Sequence, residues 1–84
     1  MQHALALEYI KSGDEEKART LFENVLEKDE NYVGSYYHLA KLLERKGQQE
    51  QALEVYTKGM EKAKEAGDQH TYNELQTAYE DLLY

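Results

Sequence analysis

Three histidines, His3, His38 and His70, are the side chains of this chain best suited to hold a metal. Tetrahedral zinc wants three or four ligands with supporting partners, and neither an HxxxH nor an HxxE spacing is present. The carboxylates of "GDEEKA", residues 13–18, crowd together as an acid/base pair would. Acids at a helix start, however, answer the helix dipole before they answer proton transfer. No glycine-rich phosphate loop, GxSxG or HExxH occurs. The absence of cysteine removes disulfides, thiolate ligands and thiol nucleophiles together. No metal, cofactor or catalytic activity is expected. A recognition chemistry suits "VGSYYHLAKLLERKG", residues 33–47, better. On a helix Tyr37, Lys41 and Arg45 fall one turn apart on one stripe, aromatic for packing and cationic for a carboxylate. Tyr36 points about 100° away from Tyr37 and must do a different job.

The elements that position these residues must be built from an acidic, proline-free chain. Its net charge is −7, with 17 acids against 10 bases in 84 residues. That balance argues against binding to nucleic acid or an anionic membrane surface, both of which need a basic stripe. Residues 32–66 hold five acids and six bases, while 1–31 and 67–84 are each −4, so the basic stripe is local. No apolar run approaches a membrane span, and "MQHALALEYIKSGD" lacks the basic start and cleavage site of a signal peptide. A cytoplasmic single domain is the expectation, burying roughly 60% of the surface of its unfolded chain. With five glycines and no proline, the chain reads as helix punctuated by short turns.

A repeat organises it. Gly13, Ala18 and Phe22 recur 34 residues later as Gly47, Ala52 and Tyr56; Leu5, Ala6 and Tyr9 recur as Leu39, Ala40 and Leu43, and Leu21 as Val55. Each unit is a helix, a glycine turn and a second helix. Gly13 and Gly47 close first helices; Asp14 caps the next helix, Gln48 is a weaker cap, and Glu15 and Glu16 sit favourably in a first turn. Asn31 is read as the cap of the tyrosine-bearing helix, Gly67 as a stop and Asp68 as the following cap. Helices are predicted at about 2–12, 15–29, 32–46, 49–66 and 69–83, giving an all-α solenoid of five helices. In the last helix Tyr72, Leu75 and Tyr79 repeat Tyr36, Leu39 and Leu43, 36 residues on. It carries Gln76 where the earlier units have Ala6 and Ala40, as a terminal capping helix with no following neighbour should.

These residues resemble the tetratricopeptide repeat family, whose pattern "YYHLAKLLERKGQQEQALEVY" matches at Tyr36, Leu39, Ala40, Gly47, Ala52 and Tyr56. "QHALALEYIKSGDEEKARTLF" matches it at Leu5, Ala6, Tyr9, Gly13, Asp14, Ala18 and Phe22. The resemblance covers the chain as repeat one, about 1–32, repeat two, about 33–66, and a capping helix, about 69–83. It departs at Glu30, where the family often has proline, at Val25 and Gly59 late in the second helices, and at Gln2, where an aromatic belongs. The implied architecture is a right-handed α-α solenoid of antiparallel helix pairs. Two and a half repeats fall below the usual minimum of three. The array is then unusually well packed, dimeric, or part of a longer one.

The resemblance also implies a function: a protein–protein interaction module whose first helices line a concave groove for a peptide or partner segment. Aligned to the family, the groove residues are His3, Leu7 and Lys11, then Tyr37, Lys41, Glu44 and Arg45, then Asn73 and Thr77. Leu7 and Ile10 are read first as contacts to the third helix. Some members clamp a terminal carboxylate with two lysines, two asparagines and an arginine; the matching positions here are His3, Leu7, His38, His70 and Glu74, and none agrees. An acidic partner segment remains the expectation from Tyr37, Lys41 and Arg45. Against it stands the ordinary reading of Lys41 and Arg45 as solvated charges paired with Glu44 or another acid. Two alternative functions fit the same residues: a homo-oligomerisation module, here a homodimer, or a designed or excised repeat scaffold with no evolved ligand.

Overall fold

The computed structural model describes residues 2–11 and 13–84, and the side chains of residues 5–11 and 13–84. Five helices follow one another: α1 Gln2–Lys11, α2 Glu15–Lys28, α3 Gly34–Arg45, α4 Gln49–Ala66 and α5 Gln69–Leu83. Each packs on its neighbours in sequence, and α3 also touches α5, so the odd-numbered helices form one layer and the even-numbered ones another.

One turn design joins three of the four connections. At Gly13, Gly47 and Gly67 φ is +85°, +78° and +72°, the left-handed conformation that only glycine adopts without strain. Around Gly47 its own N–H donates to Glu44 O at 3.0 Å, and the N–H of Gln48 donates to Leu43 O at 2.9 Å. The same nested pair recurs around Gly13 and Gly67. The residue after each glycine thereby finishes one helix and begins the next. Asp14 and Asp68 do both jobs, accepting the N–H of Lys17 at 3.4 Å and of Thr71 at 3.1 Å. Gln48 holds the same backbone shape but makes no side-chain cap, and its buried Oε1 meets no donor among the described residues.

The fourth connection corrects the sequence reading. Asn31 does not cap α3: the N–H of Asn31 donates to Asp29 Oδ1 at 3.0 Å and that of Tyr32 to Asp29 O at 3.1 Å. Asp29, folding a local turn onto its own side chain, is the organising residue. Helix α3 starts two residues later than predicted, at Gly34, behind Val33, which offers no side-chain cap.

Small residues set the helix spacing. Ala6 and Ala18, and Ala40 and Ala52, are fully buried, with Phe22 and Tyr56 filling the space beside them. Fully burying a ring or a leucine of this kind stabilises by about 1.5–3 kcal/mol, which makes this core the dominant support of the stack. Tyr36 is the repeated core aromatic, 3% exposed. Its hydroxyl donates to Glu30 O at 2.8 Å, pinning the α2–α3 connection. Burial, then the nearby carboxylates of Glu30, Asp29 and Glu61, push its phenol up to about 12. In α5, Leu75 and Ala78 are buried while Gln76 is exposed.

Candidate functional site

The exposed face of the odd-numbered layer carries two adjoining depressions. The first, of about 900 Å³, lies between α1 and α3. Leu7, Ile10 and Leu42 supply its apolar lining, and Lys11, Lys41 and Arg45 with Glu8 and Glu44 its charges. The second, of about 370 Å³, lies between α3 and α5 and takes in His70, Asn73, Glu74, Thr77 and Asp81. Tyr37 and Lys41 line both, so they form the partition between them. Every lining residue comes from α1, α3 or α5.

Helical stride explains which side chains arrive there. On α3, positions 37, 41, 44 and 45 lie within two turns on one face, while Tyr36, Leu39, Ala40 and Leu43 turn into the core. Tyr37 is half-buried. Its ring meets that of His38 edge to face, with centroids 5.5 Å apart, and Lys41 Nζ stands 5.7 Å from its centroid. His38 in turn stacks on the core ring of Phe22, centroids 5.6 Å apart. Burial between these rings holds the His38 imidazole below its usual pKa, against an opposing pull from Glu74.

The charges are already partly spoken for. Arg45 pairs with Glu15 at the start of α2, and next to it Lys46 pairs with Glu16, whose carboxyl that lysine holds below the usual range. Lys41 lies 3.6 Å from Glu44. Glu44 also accepts the hydroxyl of Tyr56 from the core of the second unit. That acceptor and burial together raise the Tyr56 phenol, burial being the larger cause. Lys11 is exposed and makes no ion pair among the described residues. On α5, Glu74 lies 3.6 Å from His70 Nε2, a pair only when that histidine is protonated, and Asp81 has no cation beside it among the described residues.

Of the sequence-predicted groove residues, Leu7, Lys11, Tyr37, Lys41, Glu44 and Arg45 surround the first depression, and Tyr37, Lys41, Asn73 and Thr77 the second. The side chain of His3 lies outside the described residues. Ile10, read as a helix contact, packs against the core and also lines the first depression. Glu8, Leu42, Ala78 and Asp81 line the face without having been predicted there, and His38, His70 and Glu74, aligned above only with the positions of a carboxylate clamp, line it as well. Those on α5 had a signal: residues 70, 74 and 81 lie one turn from 73 or 77 on the same stripe.

No group of His, Asp and Glu side chains among the described residues is placed to hold a metal ion. No helix among them is long and apolar enough to cross a membrane.

A stack of antiparallel helix pairs joined by one repeated turn, with alternate helices lining a shared face, defines a helical-repeat solenoid. The family model described as tetratricopeptide repeat matches residues 9–79, and the chain belongs to that family. The crystal structure of a tetratricopeptide repeat domain protein from Salinibacter ruber is 42% identical, covering 96% of this chain and 90% of that one, with a TM-score of 0.93. A solution NMR structure of a tetratricopeptide repeat domain protein from the same organism is 42% identical over 96% of this chain and 82% of that one, with a TM-score of 0.92. No curated protein matches the chain significantly. Domains of this family are in general protein-interaction modules and non-catalytic scaffolds.

Proposed function

We propose that this domain binds an extended segment of a partner protein across the face of α1, α3 and α5, with Tyr37 and Lys41 at the centre of the contact. The observation that carries this reading is that the two depressions adjoin on one face and share Tyr37 and Lys41 as their common lining. A half-buried aromatic flanked by apolar lining gives a segment something to pack against, and polar groups at fixed places set its register. An acidic group of the partner is drawn to the first depression, where Lys11 carries the charge least engaged by the protein itself.

Peptide capture on immobilised protein tests the reading, with circular dichroism to establish folding. Tyr37→Ala removes the shared wall of both depressions and is expected to weaken capture at least about tenfold, the loss of a central aromatic anchor. Arg45→Glu reverses a charge at the rim and is expected to weaken capture of acidic peptides less, by about threefold, within the range for exposed charges. Unchanged capture by both folded variants would place the partner elsewhere.

A further inference from the structure

The two depressions differ in which of their charges are left without a partner. Around the first, Arg45 is held by Glu15 and Lys41 by Glu44, leaving Lys11 as the cation open to a ligand among the described residues. Around the second, Glu74 pairs with no lysine or arginine among the described residues and lies beside His70, with His38 also within its influence, and Asp81 makes no ion pair among them. The α5 wall thus offers two carboxylates that pair with no lysine or arginine among the described residues, across the depression from Tyr37 and Lys41. Glu74 and Asp81 are seven residues apart on one helix face, about 10 Å along the axis, and so bracket the depression rather than crowd one point.

Resting on the groove reading above, we infer that the bound segment is charge-polarised, with a lysine or arginine between Glu74, Asp81 and Tyr37 and an acidic group at Lys11. A guanidinium or ammonium in the second depression meets carboxylates along its α5 side, while the Tyr37 ring across from them already has the Lys41 ammonium 5.7 Å from its centroid, so the carboxylates carry the contact. Lys41 lines both depressions, so a basic group of the segment is pushed away from the partition and toward Glu74 and Asp81 on the α5 side. Neighbouring helices in a layer lie about 8–10 Å apart. From α1 to α5 is therefore about 20 Å, and an extended peptide rising about 3.3 Å per residue covers it in five or six residues. The basic and acidic residues of the partner segment stand that far apart. The protein's overall charge of −7 adds to the attraction at the basic end of the ligand, so association slows as salt is added.

Selection from a random dodecamer peptide library on the intact protein tests this, using a double variant Glu74→Lys, Asp81→Lys and a single variant Lys11→Glu. Both sets of positions are exposed, so the folds are retained, and the neutral pair Glu74→Gln, Asp81→Asn guards against a local disturbance. Peptides enriched on the wild-type protein are expected to carry a basic and an acidic residue five or six positions apart, in one fixed order. The double lysine variant is expected to lose these binders at least about tenfold and to enrich acidic residues at the formerly basic position. On Lys11→Glu the acidic position is expected to turn basic. Peptides that are lost on Tyr37→Ala but keep the same charges on every charge variant would overturn the polarity and leave the groove reading standing. No enrichment by the wild-type protein over Tyr37→Ala would overturn both.

Discussion

Replacing Gly59 with alanine sets two general tendencies against each other at one position. Alanine is favoured over glycine inside a helix by about 1 kcal/mol, so propensity alone predicts a more stable protein. Packing predicts the reverse. A Cβ at residue 59 would stand 2.6 Å from Tyr36 Cβ, 3.0 Å from Tyr36 Cγ and 3.0 Å from Leu75 Cδ1. The Leu75 methyl is the end of a flexible side chain and can yield. Tyr36 Cβ cannot swing away, because it is fixed to the backbone of α3 and its ring is anchored by the bond from its hydroxyl to Glu30 O. Relief therefore requires α3 and α4 to separate, and overpacking of this kind costs about 1–3 kcal/mol. A contact this short belongs at the upper end of that range. After subtracting the helix-propensity gain, a net loss of about 1–2 kcal/mol is expected, a fall in Tm of roughly 5–15 °C for a domain of this size. Urea unfolding followed by helical circular dichroism reads it directly, with an unchanged slope showing that both end states are the same. An unchanged or raised midpoint would mean that α4 does not approach Tyr36 this closely, and the packing of the second unit would have to be redrawn.

Two further outcomes follow from single side chains. Gln48→Asp places at the second turn the residue that caps α2 and α5 from the same backbone shape, and it removes a buried acceptor that meets no donor among the described residues. A gain of about 1 kcal/mol is expected in the same urea assay, and a loss would mean that Gln48 packs in a way an aspartate cannot replace. His38 is held below its ordinary pKa of 6.5 by burial, so the unfolded chain binds its proton more readily than the folded one. Its contribution to stability is full above that value and is lost as pH falls from there toward the folded-state pKa. Urea midpoints of the wild-type protein should therefore drop more than those of His38→Gln between about pH 7.5 and pH 5.5, and parallel curves would refute the assignment.

How much of this could be read from the residues depended on how far apart the interacting groups lie in the chain. Gly13 with Asp14 and Gly67 with Asp68 are local devices, and the starts at Glu15 and Gln69 and the end at Ala66 fall where predicted, while the predicted end of the first helix, residue 12, lies outside the described residues. The core role of Tyr36 followed from its place in the repeat, since packing repeats with the sequence. The α2–α3 connection was harder. Asp29, Glu30, Asn31 and Tyr32 all suit a turn, and which one organises it depends on Tyr36, six residues past Glu30, reaching back to the Glu30 carbonyl. Asn31 satisfied the rule for a cap without being one.

The charges of the groove were the least readable part, and for a definite reason. Lys41, Glu44 and Arg45 share a helix, so their stripe is visible by counting turns, and the Lys41–Glu44 pair falls at a spacing any helix allows. The partner of Arg45 is Glu15, 30 residues away, and that of the Tyr56 hydroxyl is Glu44, 12 residues away; both depend on how the helices cross. Counting along α3 leaves both readings of its two cations open, a ligand or an acid of the protein itself, and the folded protein has given each an acid, Glu44 for Lys41 and Glu15 for Arg45. The charge left open on that side belongs to Lys11, on a helix whose sequence shows no basic stripe. A repeat fixes where each helix presents its face, but the strength of a site depends on what that face has already spent its charges on. On α5, residues 67–84 contain no lysine or arginine, and Glu74 and Asp81 pair with none from another helix among the described residues.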